Sequence, residues 1–208
     1  MNSNYSDRHL GSSENLPLAR SIYAEMRKYP IISPHGHVDA QMILANSNFA
    51  DPVSLLMSPD HYILRMLHSQ GITYEELAVN SPEVNFKLLA ENWKLFRSTP
   101  SRIWFQEILA TLFDVSEILA PENAMKIYQQ IAAKLATPEF KPQALFKSFN
   151  IELLATTDAT ADSLQSHIEL SKIDLGGRVI PTFRPDDVSD PSRLDWKASL
   201  EKLGKRYG

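Results

Sequence analysis

The stretch after Asn150 constrains the fold more than any other. Ile151-Glu152-Leu153-Leu154-Ala155-Thr156-Thr157-Asp158 reads as a strand ending in polar residues. Residues 161–173 follow with a helical pattern. Gly176-Gly177 turns the chain into Arg178-Val179-Ile180-Pro181-Thr182-Phe183-Arg184-Pro185-Asp186, a second strand of the same kind, and residues 195–205 read as another helix. Strand, helix, strand, helix at this spacing means βαβ units, because parallel strands need a long crossover between them.

A third strand stands near the start. Leu16 to Tyr29 reads as a helix, with Leu18, Ile22 and Met26 at i, i+4, i+8 giving one apolar face, and Pro30 ends it. Pro30-Ile31-Ile32-Ser33-Pro34-His35-Gly36-His37-Val38-Asp39 then reads as a strand ending in two histidines, with a helix expected after Asp39. Each of the three strands carries polar or charged residues at its C-terminal end: His35 and His37, then Asp158, then Arg184. In a (β/α)8 barrel this rim is where chemistry is done.

Between the first two strands the sequence gives helix signals and no clear strand. Asp51-Pro52 and Ser81-Pro82 each place a capping residue before a proline, which suits a helix start. Residues 60–70 read as a helix capped by Asp60 and stopped by Gly71. Further helices are expected at 82–97, at 101–113 with Trp104, Ile108 and Leu112 on one stripe, at 121–136, and at 142–149. The fourth of these five should bury Ala124, Ile127 or Tyr128, Ile131 and Leu135.

Composition excludes several classes. Of 208 residues, 43% are hydrophobic and 22% charged, which predicts a globular chain. The net charge of −4 gives no nucleic-acid footprint. The chain has no cysteine, hence neither a disulfide framework nor a zinc ribbon, which fits a reducing cytoplasm. No stretch approaches the ~20 apolar residues of a membrane span. Residues 1–15 are polar, lack a signal-peptide core and read as a loose arm, with His9 solvated.

The candidate site starts from His35 and His37. Residues i and i+2 of a strand face the same way, with Cα atoms roughly 6.5–7 Å apart, so two imidazoles can converge on one ion. Gly36 between them lets the backbone approach a neighbour closely. Neutral imidazole suits zinc and similar divalent metals. The plainer alternative is two polar residues in a turn. Arg184 is either a clamp for a carboxylate or half of an ion pair with Asp158, Asp186 or Asp187. His61, at the first turn of a helix, lies beside free N–H groups that favour an anion, or is a surface histidine. His68 and His167 fall within helices as packing or surface residues.

Four stretches in order carry a family resemblance. Pro30 to Val38 is similar to the metal-site strand of the uronate isomerases of the amidohydrolase superfamily, which usually reads His-Cys-His where this chain has Gly36. Asp60-His61-Tyr62, with Arg65, Met66 and Gly71 behind it, resembles that family's Asp-His-Tyr segment. Thr156-Thr157-Asp158, with Asp162, Ser163, Leu164 and His167, resembles the third motif, and Pro181-Thr182-Phe183-Arg184-Pro185-Asp186 the fourth.

The resemblance implies an intramolecular aldose–ketose isomerase acting on D-glucuronate and D-galacturonate. It implies His35 and His37 as ligands of a divalent metal such as zinc, and His61, Tyr62 and Arg184 as contacts to the hexuronate. Asp158 would support Arg184 or the metal-site histidines. It also implies a homo-oligomer; a cytoplasmic location and the lack of a nucleic-acid or membrane partner are expected from the composition above. The implied fold is α/β: the first three βα units of a (β/α)8 TIM-type barrel with a large all-helical insertion after strand one. The expected divisions are an arm at 1–15, the first helix and strand at 16–39, the insertion at 40–149, and strands two and three with their helices at 150–208.

The family's candidate base, an aspartate on the last barrel strand that also binds metal, has no counterpart here, and neither have its later arginines. Three strands do not close an eight-stranded barrel. The chain is therefore expected to be the N-terminal portion of a longer enzyme and inactive alone. A different metal-dependent hydrolase of the superfamily, or a non-catalytic remnant, are the alternatives.

Overall fold

A computed structural model describes residues 14–207. His9 and nearly all of the expected N-terminal arm lie outside them. In chain order the elements are α1 (Leu16–Met26), β1 (Ile31–Gly36), α2 (Ala40–Ala45), α3 (Pro52–Leu56), α4 (His61–His68), α5 (Tyr74–Val79), α6 (Pro82–Glu91), α7 (Pro100–Leu112), α8 (Ala124–Leu135), α9 (Pro142–Ser148), β2 (Ile151–Ala159), α10 (Gln165–Leu170), β3 (Arg178–Arg184), α11 (Asp186–Ser189) and α12 (Trp196–Tyr207). Short 3-10 turns lie at Trp93–Phe96 and Pro138–Phe140. The class is mixed α/β, as expected.

The chain divides into two compact units. One holds Met26–Ser47 and Lys141–Gly208; the other holds Asn48–Phe140 and the chain up to Glu25. In the first, three strands form one sheet in the order β1-β2-β3, both pairings parallel. Leu154 of β2 and Val179 of β3 are buried with Ala40 and Ile43 of α2, Phe146 of α9, Leu170 of α10 and Leu175. Burial of each large apolar side chain there is worth about 1.5–3 kcal/mol. Ile31 and Ile32 of β1 and Phe183 of β3 remain exposed. Strands β1 and β3 are the edges, without a further partner among the described residues.

The second unit is helical around one core, in which Phe86, Phe96, Phe113, Leu67, Leu89, Leu109, Ile127 and Ile131 are almost wholly buried. Helices α3 to α7 start where short polar side chains accept the first free N–H groups: Asp51 for α3, Asp60 for α4, Thr73 for α5, Ser81 for α6 and Thr99 for α7. Ala124, Ile127, Tyr128, Ile131 and Leu135 of α8 are all buried, so the stripe read from the sequence is the packed one.

Several boundaries differ from the sequence pattern, each for a local reason. Helix α6 ends at Glu91 because the Asn92 side chain donates to Leu88 O at 2.9 Å, and the chain tightens into the 3-10 turn. Helix α8 starts at Ala124 rather than Pro121. The Asn123 amide accepts from Ala120 N–H and donates to Ile118 O, holding that stretch as a turn. Helix α10 starts at Gln165 rather than 161, because Asp162 accepts the Ala159 N–H at 2.9 Å and closes a loop first. Helix α1 ends at Met26, and its apolar stripe, Leu18, Ile22 and Met26, is exposed.

Helix α7 keeps part of its expected stripe, since Ile108 and Leu112 pack partly buried against the core, but its most buried row lies one residue further on. Phe105 and Leu109 are buried and Phe113 follows them into the core, whereas Trp104 is 60% exposed. Two apolar rows run side by side along this helix, and only packing decided which is fully buried and that Trp104 is left out. Phe105→Ala is expected to destabilise the protein by about 3–5 kcal/mol and Trp104→Ala by under about 1 kcal/mol in urea unfolding. Equal costs would contradict the observed register.

Candidate functional site

Parallel pairing brings the C-terminal ends of all three strands to one edge of the sheet. Gly36 lies opposite Thr156, and Ala159 opposite Arg184. At the end of β1, His35 Nε2 and His37 Nε2 stand 3.1 Å apart, with the rings edge-on at 4.8 Å between centroids. One imidazole donates to the other, according to tautomer. Two nitrogens bound to one tetrahedral zinc at about 2.0–2.1 Å would be roughly 3.3 Å apart. The pair therefore fits two positions of such an ion. Among the described residues no group of three His, Cys, Asp or Glu completes a site. Gly36 is needed for close approach: a Cβ there would lie 2.9 Å from Leu154 Cδ1 and 3.1 Å from Ala155 O. Asp39 caps α2 by accepting the Gln41 N–H at 2.8 Å, which fixes the exit from the histidine pair.

At the end of β2, Thr156 and Asp158 share one side of the strand. Thr156 Oγ1 donates to Asp158 Oδ2 at 2.6 Å and lies 2.7 Å from His167 Nε2 of α10. His167 is buried, so it is neither a surface residue nor plain packing. The bonds of Asp158 thus run to Thr156 and toward His167. The sequence signal was present in the i, i+2 spacing of Thr156 and Asp158, but the partner eleven residues on required the fold.

At the end of β3, Arg184 Nε faces Asp186 Oδ2 at 3.3 Å, which selects one of the three acidic partners considered from sequence. A polar cleft of about 390 Å³ is lined by Thr157, Asp158, Arg184, Asp186, Asp187 and Arg193 among others. Arg193 is held by Asp195 through two hydrogen bonds of 3.0 Å, and this guanidinium keeps the Asp195 carboxyl below its ordinary range. The sequence reading did not single out Arg193.

His61 and Tyr62 belong to the helical unit, where their rings lie 4.2 Å apart and both are exposed. The N–H groups expected to be free beside His61 are partly taken. Asp60 accepts those of Tyr62 and Ile63 at 2.9 and 3.3 Å, placing a carboxylate where an anion was expected. His68 stacks on Tyr74 at 4.7 Å as a surface residue.

A protein-family model described as glucuronate isomerase matches residues 1–207. The chain belongs to the glucuronate isomerase family. It is 44% identical over 195 residues to a uronate isomerase of Brucella canis, covering 89% of this chain and 42% of that one. It is 43% identical over 194 residues to one from Rhizorhabdus wittichii, covering 92% and 42%. The fold superposes on the crystal structure of glucuronate isomerase from Caulobacter crescentus with a TM-score of 0.91 at 38% identity, covering 96% of this chain and 43% of that one. Uronate isomerase from Thermotoga maritima gives a TM-score of 0.88 at 28% identity. The chain thus spans less than half the length of these family members.

The Arg184–Asp186 pair is exposed on both sides, so it is a weak tether. Asp186→Ala is expected to change stability by under about 1 kcal/mol in thermal or urea unfolding. A much larger loss would mean that the pair is a structural element rather than a displaceable one.

Proposed function

We propose that this chain supplies part of the active site of a uronate isomerase, interconverting D-glucuronate with D-fructuronate and D-galacturonate with D-tagaturonate. The observation that carries the reading is the His35–His37 pair, with Nε2 atoms 3.1 Å apart, on the same sheet edge as Asp158 and Arg184 in a chain of this family. The three parallel strands and their helices are the beginning of a (β/α)8 barrel, and β3 is the edge to which further strands add.

His35 and His37 would hold a divalent metal, zinc by the nature of the donors, together with a ligand from beyond the described residues. Bound there, the metal would supply Lewis-acid polarisation to the oxygens of the sugar acid. Arg184 releases Asp186 and takes the substrate carboxylate with two parallel hydrogen bonds. By the family resemblance alone, His61 and Tyr62 are further contacts to the hexuronate. Isomerisation then requires a base to move a proton between C2 and C1 through an enediol-like state, while the developing oxyanion is stabilised. The described residues offer no assigned base for that step. The assembled enzyme works as a cytoplasmic homo-oligomer. No helix among the described residues is long and apolar enough to cross a membrane.

Two outcomes are expected. The purified chain should show negligible conversion of glucuronate to fructuronate in a direct assay. Turnover near that of a complete relative would contradict the assignment of an incomplete site. Zinc titrated into the chain should shift the ring signals of His35 and His37 by NMR, and His35→Ala or His37→Ala should each abolish the shift of the remaining partner. An unchanged response in either variant would place the metal elsewhere.

A further inference from the structure

The buried contact between β2 and α10 fixes a chain of hydrogen bonds with a defined direction. Thr156 Oγ1 lies 2.6 Å from Asp158 Oδ2, 2.7 Å from His167 Nε2 and 3.2 Å from Ile180 O. A hydroxyl has one hydrogen to give. A carboxylate oxygen only accepts, and 2.6 Å is the short range of a hydroxyl bonded to a charged acceptor. The hydrogen therefore goes to Asp158, and Thr156 must accept from His167 Nε2–H. The direct separation of His167 Nε2 and Asp158 Oδ2 is 3.7 Å, so the hydroxyl is the link between them.

Thr156 is 1% and His167 7% exposed, which shields the link from water. His167 Nδ1 is buried without a partner. Native interiors rarely leave such an atom orphaned, and the exception asks for a reason other than packing. Asp158 is the only one of the three that lines the cleft, together with Arg184. Its Oδ2 is occupied by Thr156, and no described group bonds to Oδ1.

We infer that His167 and Thr156 are positioning residues that hold Asp158 as a fixed acceptor for a substrate hydroxyl beside Arg184. The inference rests on the functional reading above and extends it. Arg184 takes the carboxylate end of a polyhydroxylated acid, and Asp158 Oδ1 takes a hydroxyl hydrogen a few atoms along. An acid without hydroxyls would use the arginine alone. The imidazole never touches substrate: it fixes the threonine hydroxyl, and the hydroxyl fixes the carboxylate.

The test is NMR on the full chain, with nitrogen-15 detection of the histidine rings and D-glucuronate as the probe. His167 is expected to carry its hydrogen on Nε2 with Nδ1 bare. Thr156→Val should remove that fixed tautomer and Thr156→Ser should restore it. Titration of D-glucuronate should move the carboxyl carbon of Asp158 and the guanidinium signal of Arg184 together. Affinity should fall about tenfold in Thr156→Val and recover in Thr156→Ser. Hydrogen on Nδ1 in the unaltered chain, or a tautomer indifferent to Thr156→Val, would overturn the link; the first measurement needs no variant to fold. Unchanged affinity in a folded Thr156→Val, or glucuronate moving Arg184 without Asp158, would overturn the positioning role. No response to glucuronate anywhere would overturn the functional reading and the hydroxyl-acceptor role, while the tautomer measurement would still decide the hydrogen-bonded link.

Discussion

Strand β2 pairs in parallel with both of its neighbours, and the candidate chemistry depends on that. A parallel sheet sends every strand the same way, so residues far apart in sequence reach one edge without any contact between them. The register sets the details. Gly36 sits opposite Thr156, and Ala159 opposite Arg184, so the histidine pair and the arginine lie at their strand ends and the buried threonine three residues below the end of β2. Below them the helices α2, α9 and α10 bury Leu154 and Val179 and hold the pairing in place. A slip of one residue in β2 would turn Leu154 out of that core and Thr156 away from His167.

Both arginines at the edge sit in neutralised pairs. Arg184 faces Asp186 and Arg193 faces Asp195, both exposed to water. Exposed pairs of this kind are weak, so a carboxylate arriving from solution can replace Asp186 at little net cost. Burial separates this arrangement from the one beneath it. The Thr156–His167 contact is out of water, and its direction is set by the count of hydrogens rather than by charge. The edge thus combines a displaceable ion pair with a fixed acceptor.

Legibility from sequence followed how local each signal was. The three strands, the parallel arrangement and the buried stripe of α8 could be read because they rest on periodicity and on crossover length. Gly36 could be read because a glycine between two site residues implies close approach, and Leu154 does crowd it. The starts of α8 and α10 could not, because Asn123 and Asp162 bind nearby backbone and hold loops where propensity allowed helix. The stripe of α7 differs only at its head, for another reason: Ile108 and Leu112 do pack, but Trp104 and Phe105 head two equally apolar rows, and the sequence holds nothing that ranks them.

The candidate site divides in the same way. By itself the sequence determined which residue types stand at the strand ends and that His35 and His37 share a face, since these follow from backbone geometry over a few residues. Tertiary structure alone decided which acid faces Arg184, that Asp60 already covers the N–H groups next to His61, and that His167 is buried against Thr156. Those outcomes depend on competition among several partners of similar chemistry. Only the packed positions of separate elements settle such a competition, because hydrogen bonds and ion pairs respond to distances of a few tenths of an ångström that no spacing rule resolves.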